Sequence, residues 1–180
     1  VRAGLDFVVA LQLPWGGIAW SVDPHGRVDT DGLLAGSASI FQALRAGIAL
    51  SELMDDPQPE WELAVGRLGH ALREHRDLFL DKSTFSMDWY YPILGGPVRG
   101  PAAHRRVSER WDTFVVDGLG CRCVSDQPWV TGAETCELAK EEREVPLLTQ
   151  CLAELVGAAQ GDAPLRDVCG DVVELSLIHI

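Results

Sequence analysis

The feature that most constrains this chain is an alternation of helical segments with breakers between them. A segment charged on one side and apolar on the other leads through a long loop into an apolar helix of small or aromatic residues, and a short turn restarts the cycle. The wet-and-dry members are Glu60 to about Phe79, where Trp61, Leu63, Leu68 and Leu72 oppose Glu62, Arg67, Arg73 and Glu74, and Ala102 to Val116. The apolar members begin near Leu33, Asp88 and Gly132. Helical hairpins repeated in this way bury their dry faces only by stacking on one another, so the pattern predicts an all-α stacked or closed αα array.

The breakers fit that reading. A first helix over Arg2 to Gln12 is stopped by Pro14, Gly16 and Gly17, and a polar loop with a turn at Pro24-His25-Gly26 runs to Asp31. The helix of about Leu33 to Met54 carries Ala35, Gly36, Ser37, Ala38 and Ser39 and is expected to be buried on most sides. Asp55 to Pro59 is a short connection. Asp117-Gly118 ends the charged helix, and the loop GLGCRCVSDQP leads to Thr131, an N-cap for a helix with Glu134 and Glu137 in its first turns. Because the long loops all lead into apolar helices, Trp15, Trp20, Asp29, Asp31, Asp88, Trp89, Asp126, Trp129 and Glu134 are expected on one rim.

Composition removes several classes. At 180 residues and 47% hydrophobic the chain can build a real core. A net charge of -12 repels phosphate backbones and excludes nucleic acid as a partner. No apolar run approaches the roughly 20 residues a membrane span needs. Five cysteines without paired metal-ligand spacing predict free thiols in a reducing, cytoplasmic setting, with no metal and no cofactor. Oligomeric state is not readable.

Arg2-Ala3, Phe7-Val8, Gln12, Gly16 and Trp20 resemble the QW repeat of terpene cyclases, with Ile18 where its Trp is expected. More broadly, LDFVVALQLPWGGIAWS, FSMDWYYPILGG and WVTGAETCE resemble uncharacterised actinobacterial-type (α/α)6-toroid proteins, which are similar to six-hairpin glycosidases and often labelled prenyltransferase. That resemblance implies an incomplete (α/α)6 toroid of about three hairpins over residues 1–138, in a chain that is a fragment lacking its true N-terminus. Residues 139–174 continue without the aromatic loop pattern. Residues 175–180, LSLIHI, resemble a translated sequencing-library adapter.

The resemblance implies a carbohydrate-active protein, glycoside hydrolase-like if it is an enzyme, acting on a small-molecule or oligosaccharide substrate. Glycoside cleavage needs two carboxyl groups, about 6.5 to 9.5 Å apart for inversion or about 5 Å for retention. Glu134 is the candidate acid. Trp129 beside it would favour the neutral form, whereas a helix start would favour the anion. Asp88 is the candidate partner, with Asp31 and Asp126 in reserve for that role and as substrate contacts, and Trp129, Trp89, Tyr90 and Trp20 as sugar-stacking surfaces. Blander roles are a first-turn helix carboxylate for Glu134, an N-cap for Asp88 and core packing for the tryptophans. Trp61 and Trp111 are assigned to packing. The alternatives are an isoprenoid-binding prenyltransferase or terpene cyclase-like protein, for which only Asp29-x-Asp31 stands as an acidic motif, and a non-catalytic toroid.

Overall fold

The computed structural model describes residues 1–140, and the expectations for the later residues fall outside them. The described chain is all-α, as the alternation requires, and its chain order of helical hairpins is compatible with an incomplete toroid. Its helices are α1 (Arg2–Ala10), α2 (Leu34–Leu53), α3 (Pro59–Glu74), α4 (Ser86–Leu94), α5 (Gly100–Phe114) and α6 (Gly132–Lys140). A two-stranded antiparallel ribbon, β1 (Val115–Val116) and β2 (Gly120–Cys121), pairs Val115 with Cys121 and Val116 with Gly120. The residues divide into two compact units. One comprises Val1–Ser83 with Tyr91–Arg99, and the other Thr84–Tyr90 with the described residues from Gly100 onward.

In the first unit, α1, α2 and α3 pack around Leu5, Leu34, Phe41, Leu44, Trp61, Leu68 and Leu72. Each such side chain taken out of water contributes about 1.5–3 kcal/mol. Close approach is built into the sequence, since a Cβ at Gly47 would collide with Leu5. Trp61 is core, as assigned, and its indole N–H donates to Asp6 at 2.8 Å. Leu63, read as part of the dry face of α3, is exposed. Burial of α2 is narrower than its small residues suggest: Ser37, Ala38, Phe41, Leu44 and Gly47 form one buried stripe, while Ser39, Gln42 and Arg45 lie exposed.

The segment between α1 and α2 is more ordered than a polar loop. Gln12 donates through Nε2 to the carbonyls of Gly16 and Ala64, at 3.1 and 2.9 Å, which ties the end of α1 to α3. Gly16 holds φ +102 with its α-carbon pressed on α3, where a Cβ would sit 2.8 Å from the Arg67 carbonyl, so only glycine fits. Residues 19–32 then form a hairpin with bridges Ala19–Gly32 and Val22–Val28. Its turn is set by Asp23, whose Oδ1 accepts the N–H groups of His25 and Arg27, each at 2.9 Å.

In the second unit, β1 and β2 correct the expected continuation of α5 to Val116. The cause is local. Asp117-Gly118 between apolar residues is hairpin chemistry, and Gly118 and Gly120 both adopt positive φ, +71 and +122. The helix therefore ends at Phe114 and the chain turns back on itself.

Candidate functional site

In the second unit the first turns of α4 and α6 are both hydrogen-bonded to the Cys121–Cys123 segment. Ser86 holds the α4 side: its backbone N–H and its hydroxyl both donate to the Cys123 carbonyl, at 2.9 and 3.2 Å. Thr135 holds the α6 side, accepting the Cys121 N–H at 2.9 Å while donating to the Thr131 carbonyl at 2.6 Å. Thr131 precedes α6 as expected, and its hydroxyl donates to the Glu134 carboxylate three residues on. This is the Thr-x-x-Glu pattern of a helix start, with the two side chains meeting each other.

Glu137 lies one turn further along α6 and accepts a 2.6 Å hydrogen bond from the Tyr90 hydroxyl on α4. The two helices are thus joined directly. Asp88 sits in the first turn of α4, inside the helix rather than at its N-cap, and is only 8% exposed.

Its carbonyl is held unusually. Residue 92, four positions on, is a proline and has no N–H to donate. The Arg106 guanidinium on α5 supplies the donor instead, with Nη2 reaching the Asp88 carbonyl and Nε reaching the Trp89 carbonyl at 2.6 Å. In return the Trp89 indole N–H donates to the Arg106 carbonyl at 2.6 Å.

The expected aromatics fall into two kinds. Trp89 is 2% exposed, with its ring stacked on Phe114 at 5.3 Å and edge-on to Trp111, and Tyr90 is fully buried. Neither presents a face to solvent on which a sugar ring could stack; both pack inside the second unit. Trp129 is 59% exposed, anchored through its backbone carbonyl by the Cys123 N–H at 3.0 Å, and Asp126 lies exposed in the same loop.

Trp20 and Asp31 belong to the first unit. Trp20 is exposed on the 19–32 hairpin, where its indole N–H donates to Asp29 and its backbone N–H donates to the Asp31 carbonyl at 3.0 Å. Trp15, expected on the rim, is half-buried edge-on to Phe79 at 4.8 Å.

Sequence reasoning missed Arg106 and the Tyr90–Glu137 pair. A signal for the first existed: a proline four residues after Asp88 leaves a helical carbonyl without its donor. Nothing local marks the second.

The thiols between the two helices are held protonated. Burial pushes Cys121 up to about 12, with the carboxylates of Glu134 and Glu137 adding to the effect, and burial followed by Glu134 raises Cys123. An acid whose native value lies above its unfolded value of 9.0 keeps its proton in the fold after the unfolded chain has lost it. The contribution of Cys121 to stability is therefore fully present below pH 9 and is lost between pH 9 and about 12, by about 1.4 kcal/mol per pH unit for one proton. Urea unfolding at pH 8.5 and 10.5 should show this loss in the native chain and a smaller one in Cys121→Ala; equal losses in both would place the effect elsewhere.

Among the described residues no three His, Cys, Asp or Glu side chains are grouped to hold a metal, and no helix is long and apolar enough to cross a membrane.

The chain is similar in sequence to a glycoside-cleaving enzyme. A relative is MMP endo-(1,4)-3-O-methyl-alpha-D-mannosidase of Mycolicibacterium hassiacum, 56% identical over 138 residues. The match covers 77% of this chain and 38% of that enzyme, so the chain spans well under half the length of its relative. No protein-family profile matches the chain.

Proposed function

We propose that this chain forms part of the substrate site of an endo-acting glycoside hydrolase that cleaves α-linked mannosides, including 3-O-methylated ones. The observation that carries the reading is the 56% identity to an enzyme of that name. The site chemistry supports it. Asp88 and Glu134 stand on the first turns of two helices braced against one short segment, which suits a pair of carboxyl groups flanking a scissile bond.

In this proposal Glu134 acts as the acid that protonates the leaving oxygen, and Asp88 as the carboxylate on the opposite side of the sugar. Tyr90 orients Glu137 beside them through its 2.6 Å hydrogen bond. Trp129, exposed on the approach to α6, stacks against a ring of the substrate, and Asp126 accepts a sugar hydroxyl. Trp89 serves by fixing Asp88 through Arg106. No observation favours the isoprenoid reading.

The test is turnover. The full-length protein, offered (1,4)-linked 3-O-methyl-α-mannooligosaccharides, unmethylated α-mannooligosaccharides and isoprenyl diphosphates, is expected to release shorter mannosides by internal cleavage. Binding of saccharide without cleavage would overturn the catalytic assignment. Reaction with the isoprenoids alone would overturn the carbohydrate assignment as well.

A further inference from the structure

We propose that the 19–32 hairpin is a stacking subsite for neutral, O-methylated pyranose rings, with Trp20 as its platform and Asp29 as the residue that positions the platform; this rests on the glycoside hydrolase reading. An exposed tryptophan ordinarily samples several rotamers, and a ring that moves makes a poor binding surface. Trp20 is 56% exposed yet tethered: its indole N–H donates to Asp29 Oδ2 at 2.9 Å.

The tether is itself held by two further donors. Ser21 donates its hydroxyl to the same Asp29 oxygen at 3.1 Å, and the Asp31 N–H donates to Oδ1 at 3.1 Å. Backbone hydrogen bonds from Trp20 to Asp31 and from Asp29 to Ser21, each 3.0 Å, lock the two strands together around it. The Asp31 N–H, and then Ser21, hold the Asp29 carboxyl below its usual range, in keeping with an ionised acceptor.

This geometry selects the ligand chemistry. With its single donor engaged by Asp29, the indole has no polar atom left to offer and can recognise a ligand only through its face. Val22 and Val28, paired across the same hairpin, are exposed as well and extend the apolar character of the surface. The C–H face of a pyranose and the methyl of an O-methyl ether match such a surface, and methylation removes a hydroxyl that would need a partner. Asp31 stands exposed beside the platform as an acceptor for a remaining hydroxyl. Asp23 is ion-paired with Arg27 at 3.2 Å, which leaves Asp29 and Asp31 as the carboxylates beside the platform, and these disfavour phosphorylated or sulfated sugars there, so the occupant is neutral.

The test titrates the full-length protein with methylated and unmethylated α-mannooligosaccharides of equal length, by calorimetry, alongside Trp20→Ala, Trp20→Phe, Asp29→Ala and Asp29→Asn. Trp20→Ala is expected to weaken binding of the methylated ligand about tenfold, with a smaller loss for the unmethylated one. Trp20→Phe, which keeps a ring face, should recover part of that affinity. Asp29→Ala should weaken binding, and Asp29→Asn, which keeps an acceptor oxygen for the indole, should restore most of it; a merely structural Asp29 would shift unfolding in both variants and leave the ligand preference alone. If the wild type cleaves the methylated saccharide and Trp20→Ala binds it equally well, the subsite is overturned and the hydrolase reading stands. If the wild type neither binds nor cleaves any saccharide, both fall.

Discussion

Glu134→Gln in the full-length protein should lower kcat for mannoside cleavage by about a thousandfold, and Asp88→Asn should do at least as much, because a positioned proton donor or acceptor contributes about 10²–10⁴ to the rate. Both substitutions keep side-chain volume and one carbonyl oxygen. In Glu134→Gln the amide oxygen can still accept from the Thr131 hydroxyl, so the helix start survives and the loss reports chemistry rather than unfolding. At Asp88 the Arg106 guanidinium is held by the backbone carbonyls of Asp88 and Trp89, which asparagine retains, and near-ultraviolet circular dichroism of Asp88→Asn beside kcat separates a loss of chemistry from a loss of fold. The two losses should not add in the double variant, since removing one member of a pair already disables the step the other serves. Measured kcat within a few-fold of wild type in either variant would remove that carboxylate from the reaction.

How far the sequence reveals this molecule depends on the distance over which each feature is decided. Helices α3, α5 and α6 are legible because their evidence is periodic and local: Trp61, Leu68 and Leu72 recur on one face, and Thr131 with Glu134 marks a helix start. The ribbon at Val115–Cys121 escapes for a related reason. Two apolar residues at the end of α5 continue a helical period, and only the positive φ at Gly118 and Gly120 separates strand from helix. Which side of an aromatic faces water is decided at long range. Trp89 and Trp129 look alike in sequence, each beside a carboxylate at a helix start, yet Trp89 is buried by Arg106 and Phe114 while nothing covers the ring of Trp129 to the same degree. The pairing of Trp20 with Asp29 is likewise invisible until the hairpin closes across nine residues. The carboxylates were legible as candidates because acids at helix starts are a sequence pattern; what surrounds them was not.

Arg106→Met should destabilise the second unit by about 2–5 kcal/mol, as read from urea unfolding followed by near-ultraviolet circular dichroism. The cause lies at Pro92. A proline in a helix removes the N–H that would have bonded the carbonyl four residues earlier, here that of Asp88, and a buried carbonyl left without a donor costs about 1–3 kcal/mol. Arg106 meets this need and also bonds the Trp89 carbonyl, while Trp89 returns a hydrogen bond to the Arg106 backbone. Methionine fills a similar volume but donates nothing, so both carbonyls lose their charged donor in a buried place. Arg106→Lys should recover only part of the loss, because one ammonium cannot span two carbonyls as the planar guanidinium does. The same substitution reaches the proposed chemistry. Asp88 sits at the start of the helix that Arg106 clamps, so Arg106→Lys, if folded, should lower kcat more than it raises KM, the mark of a carboxylate displaced from the reacting centre rather than of a lost substrate contact. Unchanged stability in Arg106→Met would mean that water or a backbone shift satisfies these carbonyls, and the clamp would then have no part in holding Asp88.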